Sequence, residues 1–183
     1  VHLEGDQGLR ARDATELAHP VADHPREVFV LTYPHQRDEV VLPDGLRATT
    51  DFSEAAQSAD VIVMGVPSHG FRGVLEELAR ELRPWVPVVS LVKGLEQGTN
   101  LRMSQVVDEV LPGHPAGILA GPNIAREVAE GYAAAAVLAM PDQHLAANLA
   151  DLFRTRRFRT YTSDDVVGVE MAGALKNVYA IAV

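Results

Sequence analysis

Two neighbouring residues near the end of the chain carry chemistry: Lys176 and Asn177, within GVEMAGALKNVYAIAV (residues 168–183). The stretch is apolar almost all the way round, so as a helix it is expected to be buried on most sides. Gly168, Ala172, Gly173 and Ala174 are small enough to let other backbone come close. On a helix the neighbours of Lys176 are Ala172, Gly173, Tyr179 and Ala180. None is a carboxylate, so no local salt bridge accounts for the lysine. An ammonium held among apolar groups has its charged form disfavoured and its pKa lowered, which turns a lysine into a base. The competing reading is a lysine whose stem lies on apolar surface while its head reaches water.

A second lysine, Lys93, directly follows the apolar run VPVVSL (residues 86–91) and precedes Gly94. It is expected to project from the carboxyl edge of a sheet, or else to be an exposed loop lysine. Asn123, in the turn Gly121-Pro122-Asn123, opens a helix at residue 124 and is a candidate N-cap. The free N–H groups of such a helix start also suit an anion or an oxygen atom. Two lysines and a helix start at one mouth would suit an anionic substrate with a reducible carbonyl. His69 reads as a surface residue. There is no G-x-G-x-x-G, no Walker A sequence, no metal spacing of His, Asp and Glu, and no Ser–His–Asp arrangement. The absence of cysteine excludes disulfides and thiolate metal sites.

The elements that would position these residues alternate. Residues 51–59 read as a helix with Asp51 and Glu54 close to a capping box. Residues 60–66 (DVIVMGV) form a continuous apolar run, the mark of a strand covered on both faces. Pro67 ends it and residues 68–70 are a loop. Phe71, Val74, Leu75, Leu78 and Leu82 place a helix over 71–82. Strands follow at 86–91, 116–120, 133–140 and 158–162. Helices are expected at 101–111, 124–130 and 141–153, the last with Pro in its first turn. Ser163 and Asp164 would cap the final helix. This order predicts an α/β fold: a doubly wound, mostly parallel, Rossmann-like sheet. Ligands bind such sheets beyond the carboxyl ends of the strands, which selects residues 67–70, 93–94 and 121–123.

At 183 residues the chain has room for one good core, or one domain and part of another. With 25 acidic against 16 basic residues the net charge is −9, which repels nucleic acid and anionic membrane. The one dense basic run, RTRRFR (residues 154–159), reads as a solvated helix end and strand start. No signal peptide and no uncharged run long enough for a membrane helix occurs, so the expected compartment is the cytoplasm. The chain opens without methionine and stops inside a helix, so it reads as part of a longer protein. Residues 1–38 hold four of the seven histidines and, apart from residues 28–31 (VFVL), no sustained periodicity. They suit a disordered arm, a loosely packed extension or sequence from a shifted reading frame.

SLVKGLEQG (90–98), AGPNIAREVA (120–129) and the segment 168–183 resemble motifs of the NAD(P)-dependent glycerol-3-phosphate dehydrogenases of bacterial type. ADVIVMGVPSHGFR (59–72) and LRATTDF (46–52) agree in order and spacing, and the resemblance runs without a gap from about Glu39 to Val183. It implies that Lys176 accepts and donates the proton at the substrate's C2 oxygen, and that Lys93 touches both substrate and cofactor. Gly121 and Asn123 would hold the substrate, and Asn177 would orient the reacting group. Ala125, Pro67 and Phe71 would lie against NAD(P). The implied substrates are dihydroxyacetone phosphate and sn-glycerol 3-phosphate, in phospholipid and carbohydrate metabolism, and the intact protein is expected to be a homo-oligomer. On this reading residues 1–38 are unmatched, 39–163 form a partial NAD(P)-binding domain and 164–183 begin a helical substrate domain. The family's glycine-rich pyrophosphate turn has no counterpart in the sequence. Two alternatives stand beside this one: a truncated product without catalysis, and a related two-domain dehydrogenase acting on another hydroxy acid.

Overall fold

The computed structural model describes residues 28–32, 49 and 51–182; expectations about residues 1–27 and 33–48 lie outside them. A six-stranded sheet carries its strands in chain order: β1 (Val28–Thr32), β2 (Val61–Gly65), β3 (Val88–Ser90), β4 (Ala116–Ala120), β5 (Ala134–Ala139) and β6 (Phe158–Ser163). The VFVL run noted in the sequence is thus a strand, parallel to β2. Pairing is parallel throughout except between β4 and β5.

That one reversal has a local cause. The segment joining β4 to β5 holds only α4 (Ala125–Ala129), five residues long. At 1.5 Å per residue such a helix cannot carry the chain back along the sheet to start a parallel strand. The Ala-rich sequence of β5 fits either direction, and with the other pairings parallel the sheet is mostly parallel, as expected.

Helices α1 (Phe52–Ser58), α2 (Ser68–Leu78), α3 (Met103–Val110) and α6 (Val166–Ala182) lie on one face, and α5 (Gln143–Phe153) lies on the other. Alternation along the strands sorts the core. Ile62, Met64 and Val88 pack with Leu75, Leu78 and Val106, whereas Val61, Val63, Val89 and Leu138 pack with Ala146, Leu149 and Ala150. β2 and β3 are therefore covered twice over, as their uninterrupted apolar sequence requires.

Three helix starts differ from expectation. Residues 68–70 are the first turn of α2 and not a loop: Pro67, at φ −59° and ψ 150°, occupies the N-cap position, and its carbonyl accepts from the Gly70 N–H at 3.0 Å. α5 starts after Asp142, whose carboxylate accepts from the N–H groups of His144 and Leu145, so Pro141 lies outside the helix. The N–H of Gly168 in the first turn of α6 is capped by Asp165 at 2.8 Å, while Ser163 accepts from the Asp165 N–H. Asp51 does cap α1, as read from the sequence.

The reversal between β4 and β5 demands a close approach at Gly117. A Cβ there would meet the Met140 side chain and stand 2.7 Å from the Ala139 carbonyl oxygen. Gly117→Ala is expected to cost about 1–3 kcal/mol in a denaturant melt. Gly73, in α2, has open space where its Cβ would be, so Gly73→Ala should instead add about 0.5–1 kcal/mol.

Candidate functional site

The carboxyl ends of β2, β3 and β4 share one edge of the sheet. At the end of β3 the buried Ser90 hydroxyl accepts from the Val92 N–H at 3.1 Å. This turns the chain out of the sheet and delivers Lys93 to the edge. The following loop is tied down by Arg72 of α2, which donates to both carboxylate oxygens of Glu96, at 2.7 and 3.0 Å, and to Glu109 of α3 at 2.7 Å. Such bidentate, charge-assisted pairing holds Glu96 down to a pKa of about 2, with Thr99 as a further donor, and pushes the Arg72 guanidinium up.

At the end of β4, Gly121 takes a position where a Cβ would strike the Ala135 carbonyl oxygen and come within 2.8 Å of the Asn123 side-chain nitrogen. Only glycine fits there. The Lys93 ammonium donates to the Asn123 carbonyl at 3.4 Å. α6 then crosses over β4 and β5, and between helix and sheet lies a cavity of about 280 Å³. Ala120, Gly121 and Val137 form its sheet side, Val169, Ala172 and Gly173 its helix side, and Lys93 and Lys176 both line it. A Cβ on Gly173 would lie 4.0 Å from Cγ of Lys93, so the lysine stem lies against the helix.

Of the 16 basic residues in the sequence only two are lysines, Lys93 and Lys176, and both are in this cavity. That count was a signal in the sequence that motif reading passed over. The Lys93 pKa is lowered, first by partial desolvation and second by the charge of Lys176. Lys176 itself is exposed, as are the α6 residues after it. Of this helix, read as one that needs burial on most sides, Val166 and Glu170 are the buried residues here, and nothing among the described residues covers Val178, Tyr179 or Ile181.

The other sequence-derived candidates fall outside the cavity lining. Asn123 is half-buried beside Gly121. It does not cap α4, whose N-cap position belongs to Ile124 with no side-chain hydrogen bond. Ala125 is the exposed first residue of α4, and Asn177 is exposed on α6. Pro67 stands before α2, and Phe71 is fully buried in the core. Phe71 belongs to the apolar stripe that also holds Leu75 and Leu78, which is why it faces inward. His69 is exposed. Among the described residues no group of His, Asp and Glu could hold a metal, and no helix is long and apolar enough to cross a membrane. Sequence reasoning missed Arg102, Ser104 and Glu170, a polar cluster that joins the start of α3 to α6. A lone carboxylate in an apolar helix was the available signal.

Residues 32–146 match the family described as NAD-dependent glycerol-3-phosphate dehydrogenase N-terminus. The chain belongs to this family. A glycerol-3-phosphate dehydrogenase [NAD(P)+] of Mycobacterium avium is 86% identical over 146 residues, 80% of this chain and 43% of the relative. One from Sphingopyxis alaskensis is 47% identical over 175 residues, 96% of this chain and 50% of the relative. That second alignment reaches into the segment before Glu39. The crystal structure of the Coxiella burnetii glycerol-3-phosphate dehydrogenase superposes with a TM-score of 0.73 at 30% identity, over 78% of this chain and 44% of that one. The chain spans about half the length of the relatives it matches.

The family's dinucleotide can be tested against the residues present. An apolar recess with two ammonium groups at its rim has the chemistry for a nicotinamide ring beside an anionic substrate. No glycine-rich turn able to cradle the pyrophosphate is found among the described residues. The described residues fit the nicotinamide end of the cofactor.

The Arg72–Glu96 pair gives a pH prediction with a definite sign. The Glu96 pKa falls from an ordinary 4.5 to about 2, so its contribution to stability is full above 4.5 and is lost as pH falls toward 2. Arg72→Met should lower the melting temperature at pH 7 and flatten its decline between pH 5 and 2. An unchanged acid limb in the variant would show that the pair does not hold the Lys93 loop.

Proposed function

We propose that this chain supplies the sheet edge and the proton-handling lysine of a glycerol-3-phosphate dehydrogenase, which interconverts dihydroxyacetone phosphate and sn-glycerol 3-phosphate. The observation that carries the reading is the convergence of both lysines on one cavity at the carboxyl edge of the sheet. NAD(P), when bound, takes or gives the hydride at C2. In the oxidation direction the neutral amine of Lys176 takes the proton from the C2 hydroxyl, and in reduction its ammonium returns it to the carbonyl oxygen. Lys93 adds a second positive charge that attracts the phosphate-bearing substrate and polarises the carbonyl oxygen. Gly121 keeps the floor of the site free of side chain, and the Asn123 carbonyl orients the Lys93 ammonium. Asn177 hydrogen-bonds the reacting group once the open side of α6 is covered. Pro67 and Ala125 lie on the cofactor side of the same edge. Phe71 acts at one remove, by packing under the start of α2. The cytoplasm and a homo-oligomeric state remain part of this proposal, as does a place in phospholipid synthesis.

A second reading is favoured by the open side of the cavity. Lys176 is exposed and the pyrophosphate turn is absent from the described residues, so the 183-residue chain alone is expected to show no turnover. Monitoring nicotinamide absorbance with dihydroxyacetone phosphate checks this, and a measurable rate would refute it.

The role of Lys176 is tested in a longer relative that carries both the SLVKG and ALKN motifs. Replacement by Ala should reduce kcat by about 10²–10⁴-fold while leaving cofactor affinity nearly unchanged. Replacement by Arg should do almost as much damage, because guanidinium stays protonated and cannot accept the proton. An active Lys→Arg enzyme would remove Lys176 from the reaction.

A further inference from the structure

α6 meets the sheet through a small apolar patch, with Val166 and Val169 against Ile118, Ala120 and Ala139. Small, smooth contacts of this kind tolerate sliding and rotation. Within the same helix, six residues before Lys176, a carboxylate is buried. Glu170 is only 5% exposed. One of its oxygens accepts from the Ser104 N–H at 2.8 Å, and the other accepts from the Ser104 hydroxyl and from Arg102 Nη1, both at 2.6 Å.

The Ser104 N–H belongs to the first turn of α3, where backbone donors lack partners within their own helix. A carboxylate from α6 thus serves as a cap for α3, where the helix dipole also favours negative charge. Its three donors are met in one placement of α6. Any shift along the helix axis would leave a buried charge unpaired, which is far more costly than losing apolar contact. Lys176 lies about 9 Å farther along the same rigid rod, so what fixes Glu170 also fixes Lys176.

We propose that Glu170, docked on Arg102 and Ser104, is a positioning residue that sets the register of α6 on the sheet and so places Lys176 beside Lys93. Its importance for catalysis rests on the function proposed above; the geometric claim does not. A hydrophobic contact of equal size would hold the helix as tightly but would leave its register open, and the paired carboxylate closes that freedom.

The scarcity of lysine makes the test direct. Trace acylation of the 183-residue chain from pH 7 to 11, read by mass spectrometry, gives an apparent pKa for each of the two lysines. In the parent chain Lys93 should titrate below 10.5, and Lys176→Met should raise it by the part that Lys176 contributes. Glu170→Gln should raise the Lys93 value in the same direction and by at least half as much, with the circular dichroism spectrum unchanged. Loss of a negative charge acting directly on Lys93 would lower its pKa instead, so the sign separates repositioning from simple electrostatics. A folded Glu170→Gln chain in which Lys93 titrates unchanged, or lower, overturns the proposal. If that variant does not fold, Ser104→Ala, which removes a hydrogen bond and no charge, decides by the same measurement with a smaller rise expected. The readout contains no turnover, so failure here is distinct from failure of the Lys176 role in the longer relative.

Discussion

A strand covered on both faces has no side chain to offer a ligand except at its ends. β2 and β3 are such strands: Val61, Ile62, Val63, Met64, Val88 and Val89 are all buried. Ser90 is buried as well, and its hydroxyl is spent on the turn that follows. The side chains of these strands are committed to the core, so polar chemistry is confined to the loops that leave the carboxyl edge. This constraint makes Lys93 available to a ligand. The loop that carries it is then held to α2 and α3 by the ion pairs of Arg72, which give the ammonium a fixed base.

The rest of the mouth depends on how closely three backbones can approach. β5 turns back against β4, Gly121 permits the Ala135 carbonyl to lie where a Cβ would be, and Gly173 brings α6 against the stem of Lys93. The result is a recess with apolar walls and two cations of like charge. Like charges at one site repel, and packing and the buried Glu170 cluster hold them together against that repulsion. Part of the folding free energy of the core is thus spent on an electrostatic arrangement that favours an anion.

Much of this was legible in the sequence, for identifiable reasons. β3 and β4 read as apolar runs, and residues beyond such runs are where ligands bind, which singled out Lys93 and Gly121. The beginning of α2 was not legible because Pro67 reads equally as a stop and as the residue before a helix. The direction of β5 was hidden because an alanine-rich strand carries the same pattern either way. α6 was judged by composition, which shows that an apolar helix needs cover but not how much of it the sheet can reach. Glu170 was overlooked although the rule applied to Lys176, a lone charge in an apolar helix, applies equally to it. For Phe71 the two kinds of reading diverged: periodicity placed it in the core stripe, and resemblance placed it near a cofactor.

The antiparallel pairing of β4 with β5 has a further effect on the molecule's field. Because β5 runs back from the mouth, β6, parallel to β5, also begins on that side, with Phe158 level with Ala134. The run Arg154, Arg156, Arg157 and Arg159 therefore falls on the same edge as Lys93 and Lys176. Arg154 is paired with Asp151, Arg157 donates to the Gly131 carbonyl and Arg159 stacks over Tyr161, so most of that positive charge is not cancelled locally. A chain of net charge −9 is in consequence polarised, with cationic groups gathered at one end of its sheet. The field of those cations reaches roughly a Debye length from the surface, about 10 Å at 0.1 M salt, and fades as ionic strength rises.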